Sequence, residues 1–193
     1  MTSTNIFEGS RVRLRGVEPG DWETFQEWDH DSENSRRSSF IAFPRSVASM
    51  QQWVDEQAKK DAENDSYRFQ IETLDQVMVG TIIAVDCNAR MGTFSYGLGV
   101  MDEHRRKGYA SEAILLLLRY YFLELRYQKC TTSVYDFNPP SIGLHEKLGF
   151  MREGTLRNMI FTAGQHHDIH YYGITRTEFE AEHPDYVYGI AEL

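Results

Sequence analysis

Three basic residues in a row, Arg105, Arg106 and Lys107, stand directly before Gly108 in the stretch VMDEHRRKGYASEA. Upstream the chain reads as a strand and downstream as a leucine-rich helix, so the charge falls at a helix mouth. There the first backbone N–H groups lack intrahelical acceptors and the macrodipole is positive, which together make an anion site. Glycine at the entry lets a phosphate approach the backbone, and the flanking guanidinium and ammonium groups add charge from outside. The pattern predicts a diphosphate cradle over 105–111, with a solvated basic turn as the plain alternative. Two familiar phosphate loops are excluded: GxxxxGK[ST] does not occur, and Gly97 with Gly99 fails GxGxxG because position 102 is Asp.

Other residue groups carry weaker chemistry. In HHDIH (166–170) a strand would put His166, Asp168 and His170 on one face, a donor set that suits zinc. Same-face neighbours along a strand lie ~7 Å apart, too far for ligands that must each approach a metal to about 2 Å. Sheet packing or a dimer contact, with Tyr171 and Tyr172, is the better reading, and no metal is expected. Cys87 and Cys130 have neither metal spacing nor a nucleophile motif, and they read as small buried hydrophobes. Glu72, Tyr96 and Asp136 fall on or near strands that could face an acceptor cleft, yet nothing in the sequence singles out one of them as a base.

The elements that must position these groups follow from periodicity. RVRLRGV (11–17) alternates as a strand, and Pro19 and Asp21 suit a helix first turn ahead of Trp22, Phe25 and Trp28. NSRRSSF (34–40) has no clear period, whereas Ser46 can cap a helix carrying Val47, Met50, Trp53, Val54 and Ala58. SYRFQIET (66–73), VMVGTIIAV (77–85) and TFSYGLGV (93–100) read as three antiparallel strands. Apolar positions from Tyr109 to Leu125 predict one long, deeply buried helix. KCTTSVYDF (129–137) is a strand, Pro139 opens a helix running to Leu148, and 154–175 is a hairpin turning at Ala163, Gly164 and Gln165. The expected fold is α+β: one domain over 1–193, a mixed, mostly antiparallel sheet of about seven strands flanked by helices.

Bulk properties narrow the function. At 193 residues, 41% hydrophobic and 13% aromatic, the chain is long and apolar enough for one globular core. A formal charge of −9 argues against a nucleic-acid partner and weakly favours a cationic or amine one. The longest apolar run, AILLLL, is far too short to span a bilayer, and the first residues lack an apolar signal core, so a cytoplasmic protein without membrane contact is expected.

With these pieces together, the chain resembles the GNAT superfamily of acetyl-CoA-dependent N-acetyltransferases. The family signature, Arg or Gln, then xxGx, then Gly or Ala, stands here as Arg105, Gly108 and Ala110 in RRKGYA, and NPPSIGLHEKLGFMREG (138–154) resembles its second signature. FEGSRVRLRGVEPGDW and GQHHDIHYYGITRTEFEA further resemble the subgroup of ribosomal-protein N-terminal acetyltransferases and bacterial spermidine acetyltransferases. The resemblance implies that backbone groups of Leu98, Gly99 and Val100 meet the pantetheine arm of acetyl-CoA. It also implies that Arg105, Arg106, Lys107, Gly108, Tyr109, Ala110 and Ser111 hold the pyrophosphate. Asn138 and Ser141 match polar positions near the cofactor, and either also suits a plain helix cap.

In many relatives a tyrosine before EKLGF protonates the departing thiolate; this chain has His145 there, and a histidine can donate a proton near neutral pH. The resemblance implies an amine acceptor, a polyamine or a protein N-terminus, that attacks the thioester directly; similar proteins are often homodimers. A thiol of pKa about 8.5 needs about 2 kcal/mol of help at pH 7, whereas deprotonating an amine of pKa near 10.4 costs about 4 to 5 kcal/mol. The base side is therefore the harder half. The substitution at His145 also motivates a rival reading, a non-catalytic acyl-CoA-binding module.

Overall fold

The computed structural model describes residues 5–38 and 40–188. Residues 1–4, Ser39 and 189–193, which the expected domain span includes, lie outside the described residues.

Alternation along VRLR turns Val12 and Leu14 inward and makes strand β1, Val12–Arg15. A short 3-10 turn, Pro19–Asp21, then carries proline in its first turn and a reciprocal cap between Glu18 and Asp21. It leads into α1, Trp22–His30, whose Phe25 is buried edge-on between Trp28 and Trp53. The aperiodic segment after it proves helical: α2, Ser32–Ser38. Its sequence, SENSRRS, offers no apolar stripe, and it is held by polar contacts to distant elements instead. Helix α3, Val47–Ala58, starts where Ser46 Oγ accepts the amide of Ser49 at 3.2 Å.

Strands β2 (Tyr67–Thr73), β3 (Met78–Asn88) and β4 (Thr93–Val100) follow as an antiparallel meander. Helix α4, Tyr109–Arg119, crosses to β5, Lys129–Tyr135, and α5, Pro139–Lys147, leads to the hairpin of β6 (Met151–Thr162) and β7 (Gln165–Thr175). Together they form one seven-stranded sheet in the order β1-β2-β3-β4-β5-β7-β6, in which only β4 and β5 run parallel. The fold is a single α+β domain of the expected class.

Helix α4 buries every residue from Glu112 to Leu118 and packs across β1, β3 and β4. The expected single helix over 109–125 is corrected by the structure: α4 ends at Arg119 and the chain widens into a π turn over Tyr120–Glu124. The wider turn lets two adjacent rings both find partners, Tyr120 on Phe7 at 4.7 Å and Tyr121 on Phe94 at 4.4 Å. Two closing helices were not anticipated from the sequence. The first, α6 (Arg176–Glu182), has a capping box between Thr175 and Glu178, and the second, α7 (Pro184–Tyr188), packs on α4.

One buried carboxylate ties the first strand to α4. Glu112 accepts the amides of Ser10, Arg11 and Val12 at 2.9, 2.8 and 2.8 Å, and the Ser10 hydroxyl at 2.7 Å. Four donors offset the desolvation of the carboxylate and fix where β1 begins relative to the helix mouth.

Candidate active site

Strands β4 and β5 pair over only three positions, ending at Ser95↔Thr131. A last side-chain link, Thr132 Oγ1 to the carbonyl of Tyr96 at 3.3 Å, closes the apex. Beyond it the strands part while β4 stays paired with β3 through Gly80↔Val100, so the far edge of β4 is left without a strand. A cavity of about 600 Å³ fills this gap, with Leu98, Gly99 and Val100 on one wall and Asn138, Ser141 and Leu144 on the other. An unpaired strand edge offers alternating N–H and C=O groups to an extended, amide-containing chain.

The α4 mouth closes one end of this cavity. Gly108 is the N-cap with φ 85, a left-handed conformation that favours glycine, and the helix makes its first bond from Glu112 N to Gly108 O at 3.1 Å. The amides of Tyr109, Ala110 and Ser111 therefore have no intrahelical acceptor. These three residues line the cavity with Arg105, Arg106 and Gly108. Of the twelve residues expected at the cofactor, Lys107 is the one that does not line it. Its carbonyl accepts Arg11 Nη1 at 3.2 Å. Arg11 thus stands at the helix mouth, a third guanidinium that sequence spacing alone does not reveal, because it is the residue just before β1, almost a hundred positions earlier.

The basic residues divide their work. Arg105 is held by the protein: Nη1 pairs with Asp102 at 2.6 Å, Nη2 donates to Asn34 Oδ1 at 2.7 Å, and Nε donates to the Val100 carbonyl at 3.2 Å. It orders the loop and docks α2. Arg106 adopts φ 60, is exposed, and makes no ion pair among the described residues, so its charge is available to a ligand. Asn138 does both things considered for it: its Oδ1 accepts the Ser141 amide at 3.3 Å as a helix cap, and it lines the cavity. Its Nδ2 donates to the Arg37 carbonyl at 3.2 Å, so α2, which adds Asn34, Arg37 and Ser38 to the lining, is tied to both walls.

His145 lies one layer behind the lining, 3% exposed, in a cage of Tyr96, Phe150 and Tyr172 rings. Nδ1 is 2.7 Å from the Ser141 carbonyl, which can only accept, so Nδ1 carries the proton. In the neutral ring Nε2 then accepts from Tyr96 Oη, also at 2.7 Å. Burial lowers the His145 pKa, partly opposed by the Ser141 carbonyl, and burial pushes that of Tyr96 well up, so the pair is neutral at pH 7.

The other titratable candidates have partners and none lines the cavity. Glu72 is buried between Arg13 and Arg15, the latter at 2.5 Å. Asp136 accepts the Asp168 amide at 3.1 Å and lies 3.2 Å from His167 Nδ1. Among the described residues no group of three His, Cys, Asp or Glu is placed to hold a metal. In the HHDIH segment His170 lies against Arg152 at 2.8 Å, Asp168 accepts the Asn158 amide at 2.9 Å, and His166 packs on Phe161. No helix among the described residues is long and apolar enough to cross a membrane.

The pattern described as "Acetyltransferase (GNAT) domain" matches residues 11–151. The SPbeta prophage-derived uncharacterized N-acetyltransferase YokL of Bacillus subtilis (strain 168) is 47% identical over 181 residues, covering 94% of this chain and 99% of the relative. The spermidine N(1)-acetyltransferase of Vibrio cholerae serotype O1 is 26% identical over 160 residues, 83% of this chain and 90% of that one. In fold, the Vibrio cholerae spermidine N-acetyltransferase in complex with CoA and spermine superposes with a TM-score of 0.76 at 22% identity, covering 89% of this chain and 99% of the other. With a gapped sheet, an open strand edge and a phosphate-ready helix mouth in one cavity, the chain belongs to the GNAT acetyltransferase family and is an acetyl-CoA-dependent N-acetyltransferase.

Proposed function

We propose that this enzyme moves the acetyl group of acetyl-CoA to a primary amine by direct attack of the amine on the thioester. The observation that carries the reading is the cavity itself, in which the unpaired edge of β4 leads from the α4 mouth toward the apex of the gap. The amides of Tyr109, Ala110 and Ser111, with Arg106, hold the pyrophosphate, and Leu98 to Val100 align the pantetheine arm beside their backbone groups. A backbone N–H near Gly99 or Val100 stabilises charge on the thioester oxygen during attack. Neither cysteine has a part, since burial raises both thiol pKa values.

His145 takes a positioning role in this scheme. Its one proton is engaged by Ser141 and its lone pair by Tyr96, so the ring pins α5 to β4 and leaves the thiolate to be protonated from within the open gap. The modest need at the thiolate, about 2 kcal/mol at pH 7, makes this affordable. The sequence suggests polyamines and protein N-termini as acceptors, and two relatives are named for spermidine and for ribosomal N-acetylation; what this reading requires of the acceptor is a primary amine. A cytoplasmic homodimer is part of the proposal; exposed Leu156, Met159 and Phe161 along edge strand β6 support a partner there.

The rival reading, a module that binds acyl-CoA without turning it over, is favoured only by the occupied nitrogens of His145. One experiment separates them. Purified protein is given acetyl-CoA with polyamines, N-terminal peptides, amino acids and aminoglycosides, and thiol release is followed. Release with any acceptor eliminates the rival; coenzyme A binding without release across the panel eliminates the transferase.

A further inference from the structure

A second cavity, of about 330 Å³, opens where the end of α3 meets the start of β2 and the end of β3. Two cations, Lys60 and Arg68, and three carboxylates, Asp61, Glu63 and Asp86, line it together with Ile83. These charges are unspent. Arg68 Nε is enclosed with no hydrogen-bond partner, Nη1 makes only a long contact to Thr81 Oγ1 at 3.4 Å, and the guanidinium stacks 5.6 Å from the Trp53 ring. Burial lowers its pKa. Among the described residues no carboxylate forms an ion pair with Arg68 or Lys60, and Asp61, Glu63 and Asp86 pair with no cation. A guanidinium taken out of water without an anion is costly, and a ligand that brings the anion recovers that cost. Unpaired charges of both signs around one cavity match a ligand end that carries both.

The sheet register connects this cavity to the active site. Arg68 pairs with Ile83, and Ile83 pairs with Gly97, so the three form one row on one face across β2, β3 and β4. Ile83 is a wall of the cavity, and its Cγ2 lies 3.5 Å from where a Gly97 Cβ would stand. Gly97 is exposed and adds no side chain to that face. It sits just past Ser95, at the apex of the gap, where an arm laid from the α4 mouth along Val100, Gly99 and Leu98 arrives. Two strand spacings, ~10 Å, separate the Arg68 backbone from β4, and the reach of the Arg68 side chain shortens that to the span of a lysine-sized chain.

We propose that this cavity holds the zwitterionic end of the acceptor, which is a free diamino acid of about lysine length acetylated on its side-chain amine. The α-carboxylate meets Arg68 and Lys60, the α-ammonium meets the carboxylate wall, and the alkyl chain crosses Ile83 to Gly97. The side-chain ammonium first gives one proton to solvent; the neutral nitrogen forms the amide bond, the carbon–sulfur bond breaks, and the second proton lost from nitrogen is balanced by the one that the thiolate takes up to become the thiol of coenzyme A. A polyamine would set only positive charge against Arg68. The assignment rests on the acetyl-transfer reading for its chemistry, but the cavity is testable without turnover.

Thiol release is measured with L-lysine, cadaverine (no carboxylate) and 6-aminohexanoate (no α-amine), and Nε-acetyl-L-lysine binding is measured by calorimetry without cofactor. The expected result is a kcat/KM for lysine at least tenfold above both analogues and saturable binding of the acetylated product. Arg68→Met should collapse the lysine-to-cadaverine ratio toward one and abolish product binding, with coenzyme A affinity serving as the folding control. Lys60→Gln, at the rim, should lower the ratio several-fold should Arg68→Met fail to fold. Preference for cadaverine, or a ratio that neither substitution moves, overturns the proposal. Absence of thiol release with every amine defeats the transferase reading alone; absence of Nε-acetyl-lysine binding defeats the cavity assignment alone.

Discussion

Replacing His145 by Phe tests whether the imidazole positions or protonates. Phe keeps an aromatic ring against Tyr96, Phe150 and Tyr172, so the ring contacts are largely retained although the side chain is somewhat larger. The Ser141 carbonyl loses the Nδ1 donor, and the larger loss is at the Tyr96 hydroxyl, on a residue 5% exposed, which is stripped of its acceptor. A buried donor left unpaired costs about 1 to 3 kcal/mol. In a domain of this size each 1 kcal/mol moves Tm by about 2 to 4 °C, so His145→Phe should lower Tm by about 2 to 12 °C. Tyr96→Phe should cost less, because it leaves behind an imidazole nitrogen that needs only an acceptor role. The double variant removes donor and acceptor together, and should be more stable than the sum of the single losses predicts by about 1 to 2 kcal/mol. Urea and thermal unfolding of the four proteins close the cycle, and kcat from thiol release is followed against pH. A positioning role gives a double variant with less than a tenfold loss of kcat and an unmoved pH profile. Additive stability losses would refute the coupling; a hundredfold loss of kcat with coenzyme A affinity intact would return the acid role to His145.

Arg106→Glu reverses the uncommitted charge at the α4 mouth, and coenzyme A affinity should fall about tenfold or more with a flatter dependence on salt, read by calorimetry at two ionic strengths. Glu112→Gln keeps the shape but replaces a carboxylate that accepts four hydrogen bonds, so unfolding free energy should drop about 2 to 4 kcal/mol, and amide exchange at Ser10 to Val12 should accelerate. Because the folded His145 pKa lies below its unfolded value near 6.5, its neutral contacts contribute fully above about pH 6.5 and are lost as pH falls below it toward the folded pKa. His145→Phe should remove that part of the acid sensitivity, which a stability profile from pH 7.5 to 5 would reveal. Arg105→Lys keeps the charge but cannot hold Asp102, Asn34 and the Val100 carbonyl at once, and it should loosen α2, seen as faster exchange over 32–38 with a weaker effect on coenzyme A affinity than Arg106→Glu.

Much of the fold was legible because its elements announce themselves locally. The meander from Tyr67 to Val100 is three β-rich runs broken by short turns, Pro139 and Ser46 mark helix starts, and the buried α4 is apolar around its girth. Helix α2 was illegible because nothing in SENSRRS is periodic; its order comes from Arg105, from Asn138, and from Arg36 donating to Thr162 Oγ1 at 3.0 Å, contacts between residues far apart in sequence. The same limit applies at the site. The basic run and Gly108 were visible as a contiguous motif, whereas Arg11 reaches the helix mouth, and the α2 residues the cavity, only through folding. His145 shows the converse: its place in the motif was plain, but that both of its nitrogens were already engaged depended on Tyr96, forty-nine positions away.

The short seam between β4 and β5 gives the molecule two leaves on a narrow spine. Whatever lies between the leaves serves as a brace, donating and accepting where a neighbouring strand otherwise would. Loading coenzyme A should therefore stiffen the spine itself, slowing exchange at Tyr96 to Val100 and at Thr131 to Tyr135 more than at the distant β1–β2 edge. Mechanical integrity and catalytic readiness then rise together with coenzyme concentration, each tenfold of ligand beyond saturation adding about 1.4 kcal/mol against unfolding.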